Sequence, residues 1–70
     1  MGFIRLRIKE FAEERGWTLK EVADRSDVNY KTLVSYVRRD RMATIDYTAI
    51  LKIARAFEIP IEDLVEVLEE

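Results

Sequence analysis

Residues 19–38 read LKEVADRSDVNYKTLVSYVR, which has the pattern of two short helices joined by a tight turn. Thr18 precedes the first helix as its N-cap and Glu21 follows three positions later, the spacing of a capping box in which each side chain bonds to an unpaired backbone N–H. The apolar positions of this helix are Leu19, Val22 and Ala23. Because Ala23 is small, a second helix can cross close to it, which favours a steeply crossed helix pair.

The turn and the second helix follow directly. Asp27 is expected to adopt a left-handed backbone conformation, which Asp tolerates, and Asn29 is expected to cap the second helix. The inward positions of that helix are Leu33, Tyr36 and Val37, and its outward positions are Lys31, Val34, Ser35 and Arg38. Helical spacing therefore predicts an apolar inner face and a polar, cationic outer face.

The composition limits the chemistry that the chain can perform. Its 70 residues, 49% hydrophobic and 37% charged, fit one packed domain spanning residues 1–70. The absence of Cys and His excludes disulfides, thiolate nucleophiles, imidazole bases and the usual Zn, Cu and Fe ligands. We therefore expect no catalytic residue, no metal and no cofactor, and no small-molecule ligand is indicated.

Nothing in the sequence directs the chain to a membrane. No apolar run approaches the ~20 residues of a membrane-spanning helix, and the start lacks the apolar region of a signal peptide. The sequence thus predicts a cytoplasmic protein without a membrane partner.

The formal net charge is −2, but the charged residues are distributed unevenly along the chain. Residues 1–43 hold ten Lys and Arg against seven Asp and Glu, whereas residues 44–70 hold two against seven. A mildly basic front and an acidic back give the polarity that a nucleic-acid-binding face needs.

The N-terminal segment supports two interpretations. A helical stripe within residues 3–15 consists of Ile4, Ile8, Phe11 and Ala12. Gly16 would then occupy the C′ position of that helix. The strand period is also present, since Ile4, Leu6 and Ile8 alternate with Arg5, Arg7 and Lys9. The first residues can therefore be extended, and an exposed arm could pair with its own copy across a two-fold axis.

Two more helices are expected near the C-terminus. The first is capped by Thr44 or Asp46 and runs to about Phe57, and Pro60 separates it from the second because proline disfavours helical geometry in the preceding residue. The apolar side of the last helix, from Ile61 to about Leu68, consists of Ile61, Leu64, Val65 and Leu68.

Two further stretches have both a structural and a functional interpretation. Trp17 precedes the N-cap and is expected to pack in the core, while stacking on a nucleic-acid base would require neighbouring aromatic residues. Residues 38–43 read RRDRMA and carry three arginines. A charge run is ordinarily a solvated surface, but this one directly follows the second helix of the pair.

The positions that match a wider pattern are the small residue Ala23, the turn residue Asp27, and the hydrophobic anchors Val28, Leu33 and Tyr36. The wider sequence includes the strings WTLKEVADRSDVNYKTL and IDYTAILKIARAFEIPIEDL. Over roughly residues 4–66, the chain resembles the Cro/CI-type (XRE-like) helix-turn-helix family of phage and bacterial repressors. The resemblance implies an all-α, compact five-helix, lambda-repressor-like DNA-binding domain whose helix-turn-helix, core residues 18–38, lies at helices 2 and 3. It further implies sequence-specific binding of double-stranded DNA by a small prokaryotic or phage transcriptional regulator, a repressor, acting as a homodimer with half-sites about 34 Å apart.

The same resemblance implies the roles of individual residues in the helix over residues 29–38, which would enter the major groove. Base contacts fall on Tyr30, Lys31, Val34 and Ser35. Phosphate contacts fall on Thr18, Lys20, Asn29, Arg38, Arg39 and Arg41, together with the first N–H groups of the two motif helices. Lys31 is expected to donate to guanine O6 and N7, whereas packing at the helix start is the alternative role for Tyr30.

The chain departs from the family pattern at four positions. Leu19 stands where many relatives have a phosphate-holding Gln, and Ala12 and Val37 replace a common Arg–Glu pair. An apolar pair can replace a buried ion pair without loss of stability, but it removes an arginine that could face DNA. We therefore expect a monomer to bind weakly. Glu58 stands where relatives usually have Gly, so that helix end is expected to be less favourable.

Two other classes of function fit parts of the sequence. Family members also act as antitoxins or bind partner proteins, and the acidic C-terminal half with Leu64, Val65 and Leu68 could provide such a protein-interaction surface. An enzyme is disfavoured, because the seven carboxylates of that half lie on expected helical faces without a visible pocket, and no other base titrates near neutral pH.

Overall fold

Helices make up most of the computed structural model, which describes residues 3–39 and 45–68. Within this part of the chain, five helices lie between two short strands. The elements are β1 Phe3–Leu6, α1 Ile8–Arg15, α2 Leu19–Ser26, α3 Tyr30–Arg38, α4 Tyr47–Phe57, α5 Ile61–Leu64 and β2 Val65–Leu68. The expected all-α, five-helix class is confirmed, and the strand pair is a small addition to it.

The ends of α1 and α2 follow from their capping residues. Gly16 ends α1 in the left-handed conformation, with φ +70°, as its position after the helical stripe predicts. The Thr18 hydroxyl oxygen caps α2 by accepting the Glu21 backbone N–H at 3.1 Å. The expected capping box is only half formed, because the Glu21 carboxylate accepts hydrogen bonds from Arg25, at 2.9 and 3.2 Å.

The helix α4 is bounded as its sequence predicts. The Asp46 carboxylate accepts the Thr48 N–H at 3.0 Å and is the N-cap, whereas the alternative cap, Thr44, lies outside the described residues. The helix ends at Glu58, which has a left-handed φ of +59°. Pro60 then precedes α5.

The core lies between the helices and one face of the strand pair. Its most completely buried side chains are Ile8, Val22, Leu33, Ile53, Phe57 and Leu64. Trp17 packs against this core and stacks on Phe57, with the ring centres 5.6 Å apart and the planes 14° from parallel. The expectation that Trp17 is a packing residue is therefore confirmed.

The prediction of a last helix reaching Leu68 is wrong. The helix α5 ends at Leu64, and β2 continues from it to pair antiparallel with β1, placing Phe3 opposite Leu68 and Leu6 opposite Val65. The extended interpretation of the first residues is thus correct, although β1 pairs within its own chain.

The strand pair also revises the surface expected for a protein partner. Leu64 is fully buried and Val65 packs against the core, so neither is available on an exposed apolar edge. Between the strands, Arg5 donates from Nε to the Glu66 carboxylate at 2.8 Å. No helix in the described ranges is both long and apolar enough to cross a bilayer.

Candidate nucleic-acid interface

The turn between α2 and α3 is built from short-range hydrogen bonds. Asp27 adopts the expected left-handed conformation, with φ +59°, and ends α2. The Ser26 hydroxyl, buried beside it, donates to the Val22 carbonyl at 2.7 Å. Asn29 then starts α3, because its Oδ1 accepts the Lys31 N–H at 2.8 Å and the Thr32 N–H at 3.4 Å. These features define where α2 ends and where α3 begins.

The outer face of α3 forms a shallow open concavity of about 460 Å³. Its lining consists of Tyr30, Lys31, Val34, Ser35, Arg38 and Arg39. All four residues predicted to contact bases therefore lie together, and two of the predicted phosphate-contacting residues lie beside them. The inward positions of the same helix are packed as expected, since Leu33 is fully buried and Tyr36 and Val37 contact the core.

Most of these side chains are exposed and polar. Tyr30 is 50% exposed, and Lys31, Arg38 and Arg39 are also exposed. Val34 and Ser35 are half-buried between them, so the face presents ammonium, guanidinium and hydroxyl donors around a small apolar centre. Donors of this kind suit the acceptor atoms of guanine and the oxygens of phosphate, and an apolar centre suits a thymine methyl group.

A second concavity, of about 630 Å³, lies between α2 and the start of α3. It contains the predicted phosphate-contacting residues Lys20 and Asn29 together with Tyr30. It also contains Asp24 and Asp27, two carboxylates that the sequence interpretation did not include in the site. Their spacing from Lys20, four and seven residues along α2, could have revealed them, since it places all three on one stripe.

Thr18 and Asn29 each cap the start of a helix. Both side-chain oxygens accept backbone N–H groups, and both residues are exposed. The Thr18 hydroxyl hydrogen and the Asn29 side-chain amide group are still donors, so either can bond an anion together with the N–H groups at the positive end of the helix dipole. Arg41, the remaining predicted phosphate-contacting residue, lies outside the described residues.

The cations of this face differ from the arginines near the start of α1. Lys20, Lys31, Arg38 and Arg39 make no ion pair with another described residue. Arg5 and Arg7, by contrast, both bind Glu10, at 3.0 and 3.2 Å. Partial burial would raise the pKa of Glu10, but the hydrogen bonds from Arg7 and Arg5 outweigh it and lower that pKa. The cations of α3 are thus available for an external anion.

The described side chains do not indicate a metal centre. No group of three or more His, Cys, Asp or Glu within the described ranges could hold a metal ion.

The comparison with protein families agrees with this geometry. The model of a family described as the Cro/C1-type HTH DNA-binding domain matches residues 7–70, which include every element from α1 to β2. Neither the comparison with curated proteins nor that with solved structures gives a match.

Proposed function

Because the chain belongs to the family of Cro/C1-type helix-turn-helix DNA-binding domains, we propose that it binds duplex DNA sequence-specifically with α3 in the major groove. The supporting observation is the outer face of α3, where Tyr30, Lys31, Val34 and Ser35 line one concavity. Among the residues that the structure describes, none forms an ion pair with Lys31. A B-DNA major groove admits one α-helix, and a helix-turn-helix presents the N-terminal part of its second helix to the base edges.

Each base-reading side chain has a distinct task. Lys31 donates to O6 and N7 of guanine, and Val34 contacts the methyl group of thymine. Ser35 donates or accepts at a neighbouring base edge, so it discriminates less. Tyr30, half-exposed at the first position of α3, reaches either a base edge or the adjoining phosphate. Lys31 therefore carries the greatest share of the sequence preference.

Phosphate contacts hold the domain on both sides of the groove. On one side they come from the first N–H groups of α2 and α3 with Thr18, Lys20 and Asn29. On the other they come from Arg38, Arg39 and Arg41. Such contacts carry no sequence information, but each one adds about 0.9 to the dependence of log affinity on log salt concentration.

We further propose that the protein represses transcription as a cytoplasmic homodimer. One recognition helix reads few base pairs, whereas a two-fold dimer reads two half-sites about 34 Å apart. Occupation of such a site excludes other proteins from the same DNA. The sheet edge at β2 is the candidate dimer contact, since Val67 there is 67% exposed and an edge strand presents unpaired backbone groups.

Selection of bound sites from a pool of random duplexes tests this function. We expect a two-fold symmetric consensus, and loss of preference at one base pair in each half-site when Lys31 is replaced by Ala. A domain whose main partner is another protein, as in an antitoxin, would show no consensus and no salt-sensitive binding of fragmented genomic DNA. That result would contradict the proposal.

A further inference from the structure

A third cleft, of about 450 Å³, lies between the start of α1 and the end of α3. Lys9 and Glu13 of α1 line one side of it, and Val37 and Arg38 of α3 line the other. Arg38 also lines the concavity on the outer face of α3. The cleft therefore continues the surface of the recognition helix onto a neighbouring helix, at the end of α3 away from its N-cap.

The charges in this cleft are not equally available. Arg5 and Arg7 lie at its margin, but both are bound to Glu10. Lys9 and Arg38 are exposed and make no ion pair with a described residue. Glu13, four residues after Lys9 on α1, makes none either. The cleft thus contains two available cations and one opposing carboxylate.

We propose that Lys9 is a further phosphate-binding residue, which acts with Arg38 on the DNA strand that borders the C-terminal end of α3. The inference rests on the proposed function. At 1.5 Å per residue the nine residues of α3 span about 13 Å, close to the ~12 Å width of the major groove. An α3 that lies across the groove would place its two ends near opposite walls.

The side chain of Lys9 suits this task. Lysine carries a compact charge on a flexible stem, so it can follow a phosphate without a fixed bidentate geometry. Its position on α1 adds a second element to the contact, which α3 would otherwise make alone at this end. Glu13 opposes the approach of a phosphate, so its removal should strengthen binding through the same cleft.

The test measures the salt dependence of binding to a mixed-sequence duplex of twenty base pairs, since phosphate contacts act on any sequence. Lys9→Gln should lower the slope of log affinity against log salt by about 0.9, a loss of up to about eightfold at 0.1 M salt relative to 1 M. Glu13→Gln should bind more tightly than the unaltered protein. Arg55→Gln is the matched control, because Arg55 is an exposed cation on α4 that lines none of these three clefts.

Two outcomes separate this inference from the proposed function. If the unaltered protein binds the duplex and Lys9→Gln behaves like Arg55→Gln, the role of Lys9 is overturned while the proposed function stands. If the unaltered protein shows no salt-dependent binding of duplex DNA, both are overturned. Circular dichroism and the urea midpoint of each variant establish that the fold is retained.

Discussion

The guanidinium carbon of Arg25 lies 4.3 Å from the centre of the Trp17 indole ring. The same guanidinium donates to the Glu21 carboxylate at 2.9 Å, and the indole also stacks on Phe57 of α4. Arg25 thereby links the loop before α2 to the last turn of that helix. Since α3 packs against α2, this contact bears on the stability of the helix pair.

We predict that Arg25→Ala lowers the free energy of unfolding by about 1 kcal/mol, because it removes a cation–π contact and an exposed helix ion pair. The measurement is urea unfolding followed by the fluorescence of Trp17, the one tryptophan in the chain. Arg55→Ala removes another exposed arginine and should have little effect. Equal loss in the two variants would contradict the role of the Trp17 contact.

A glycine at position 58 should stabilise the fold. Glu58 ends α4 with φ +59°, a conformation that costs about 1–2 kcal/mol for an L-residue with a Cβ. Glycine avoids that cost but adds freedom to the unfolded chain, so we expect Glu58→Gly to gain about 0.5–1 kcal/mol. Thermal unfolding by circular dichroism measures the gain.

Asp27→Gly is a useful comparison, since Asp27 has nearly the same backbone angle. Asp tolerates the left-handed region better than Glu, and Asp27 lies 3.9 Å from the Lys52 ammonium. The gain at position 27 should therefore be smaller. If Asp27→Gly stabilises the fold more than Glu58→Gly, backbone strain is not what determines the gain in stability.

We expect Lys31 to contact a base and Arg39 to contact a phosphate, so substitutions of the two residues should affect DNA binding differently. Lys31→Ala is expected to cost about 1–3 kcal/mol at one base pair and to relax the preference there. Arg39→Ala should instead weaken binding equally for all sequences and lower the salt slope by about 0.9. Titration of a consensus duplex and of its single-base variants distinguishes the two patterns, and identical patterns would contradict the assignment.

Asp24 should weaken DNA binding in the unaltered protein. Its carboxylate shares a concavity with Lys20 and Tyr30, where it opposes the approach of a phosphate. We expect Asp24→Asn to improve binding to any duplex by about 1 kcal/mol or less. Asp63→Asn, on the exposed side of α5, removes a charge at a position that lines none of these concavities and should leave affinity unchanged. Weaker binding by Asp24→Asn would assign that carboxylate a supporting role.

The pH dependence of stability should report the contacts of Glu10 with Arg5 and Arg7. These hydrogen bonds lower the pKa of Glu10 in the folded protein, so their contribution is complete above the unfolded pKa, about 4.3. It is lost as the pH falls through the lower folded pKa. Because the groups are largely exposed, Glu10→Gln should cost less than about 1 kcal/mol at pH 7.

The measurement is urea unfolding of both proteins between pH 7 and pH 2. The difference between them should shrink toward the acid end, where Glu10 is protonated in both the folded and the unfolded chain. A difference that stays constant over this range would show that the carboxylate charge does not contribute.

Sequence reasoning succeeded where the structural signal is local. The caps at Thr18 and Asn29 and the left-handed Asp27 depend on neighbours within a few residues, so α2, the turn and α3 were predictable. The outward face of α3 follows from helical periodicity, which explains why its predicted residues do lie together. Asp24 was overlooked because the resemblance assigned it no task, although its spacing from Lys20 was visible.

The error at the last helix has a non-local cause. Ile61, Leu64, Val65 and Leu68 have helical spacing, but residues 65–68 also carry alternate valines, which favour a strand. The choice depends on a partner strand about sixty residues earlier, with Arg5 opposite Glu66. Periodicity within one segment contains no information about such a partner.

The pairing of Phe3 with Leu68 places the two ends of the described chain side by side. A short linker across this pair would close the backbone into a ring and reduce the entropy of the unfolded chain, with no change to the residues of α2 or α3. Head-to-tail cyclisation should therefore raise the melting temperature. The fold is suited to circular permutation for the same reason.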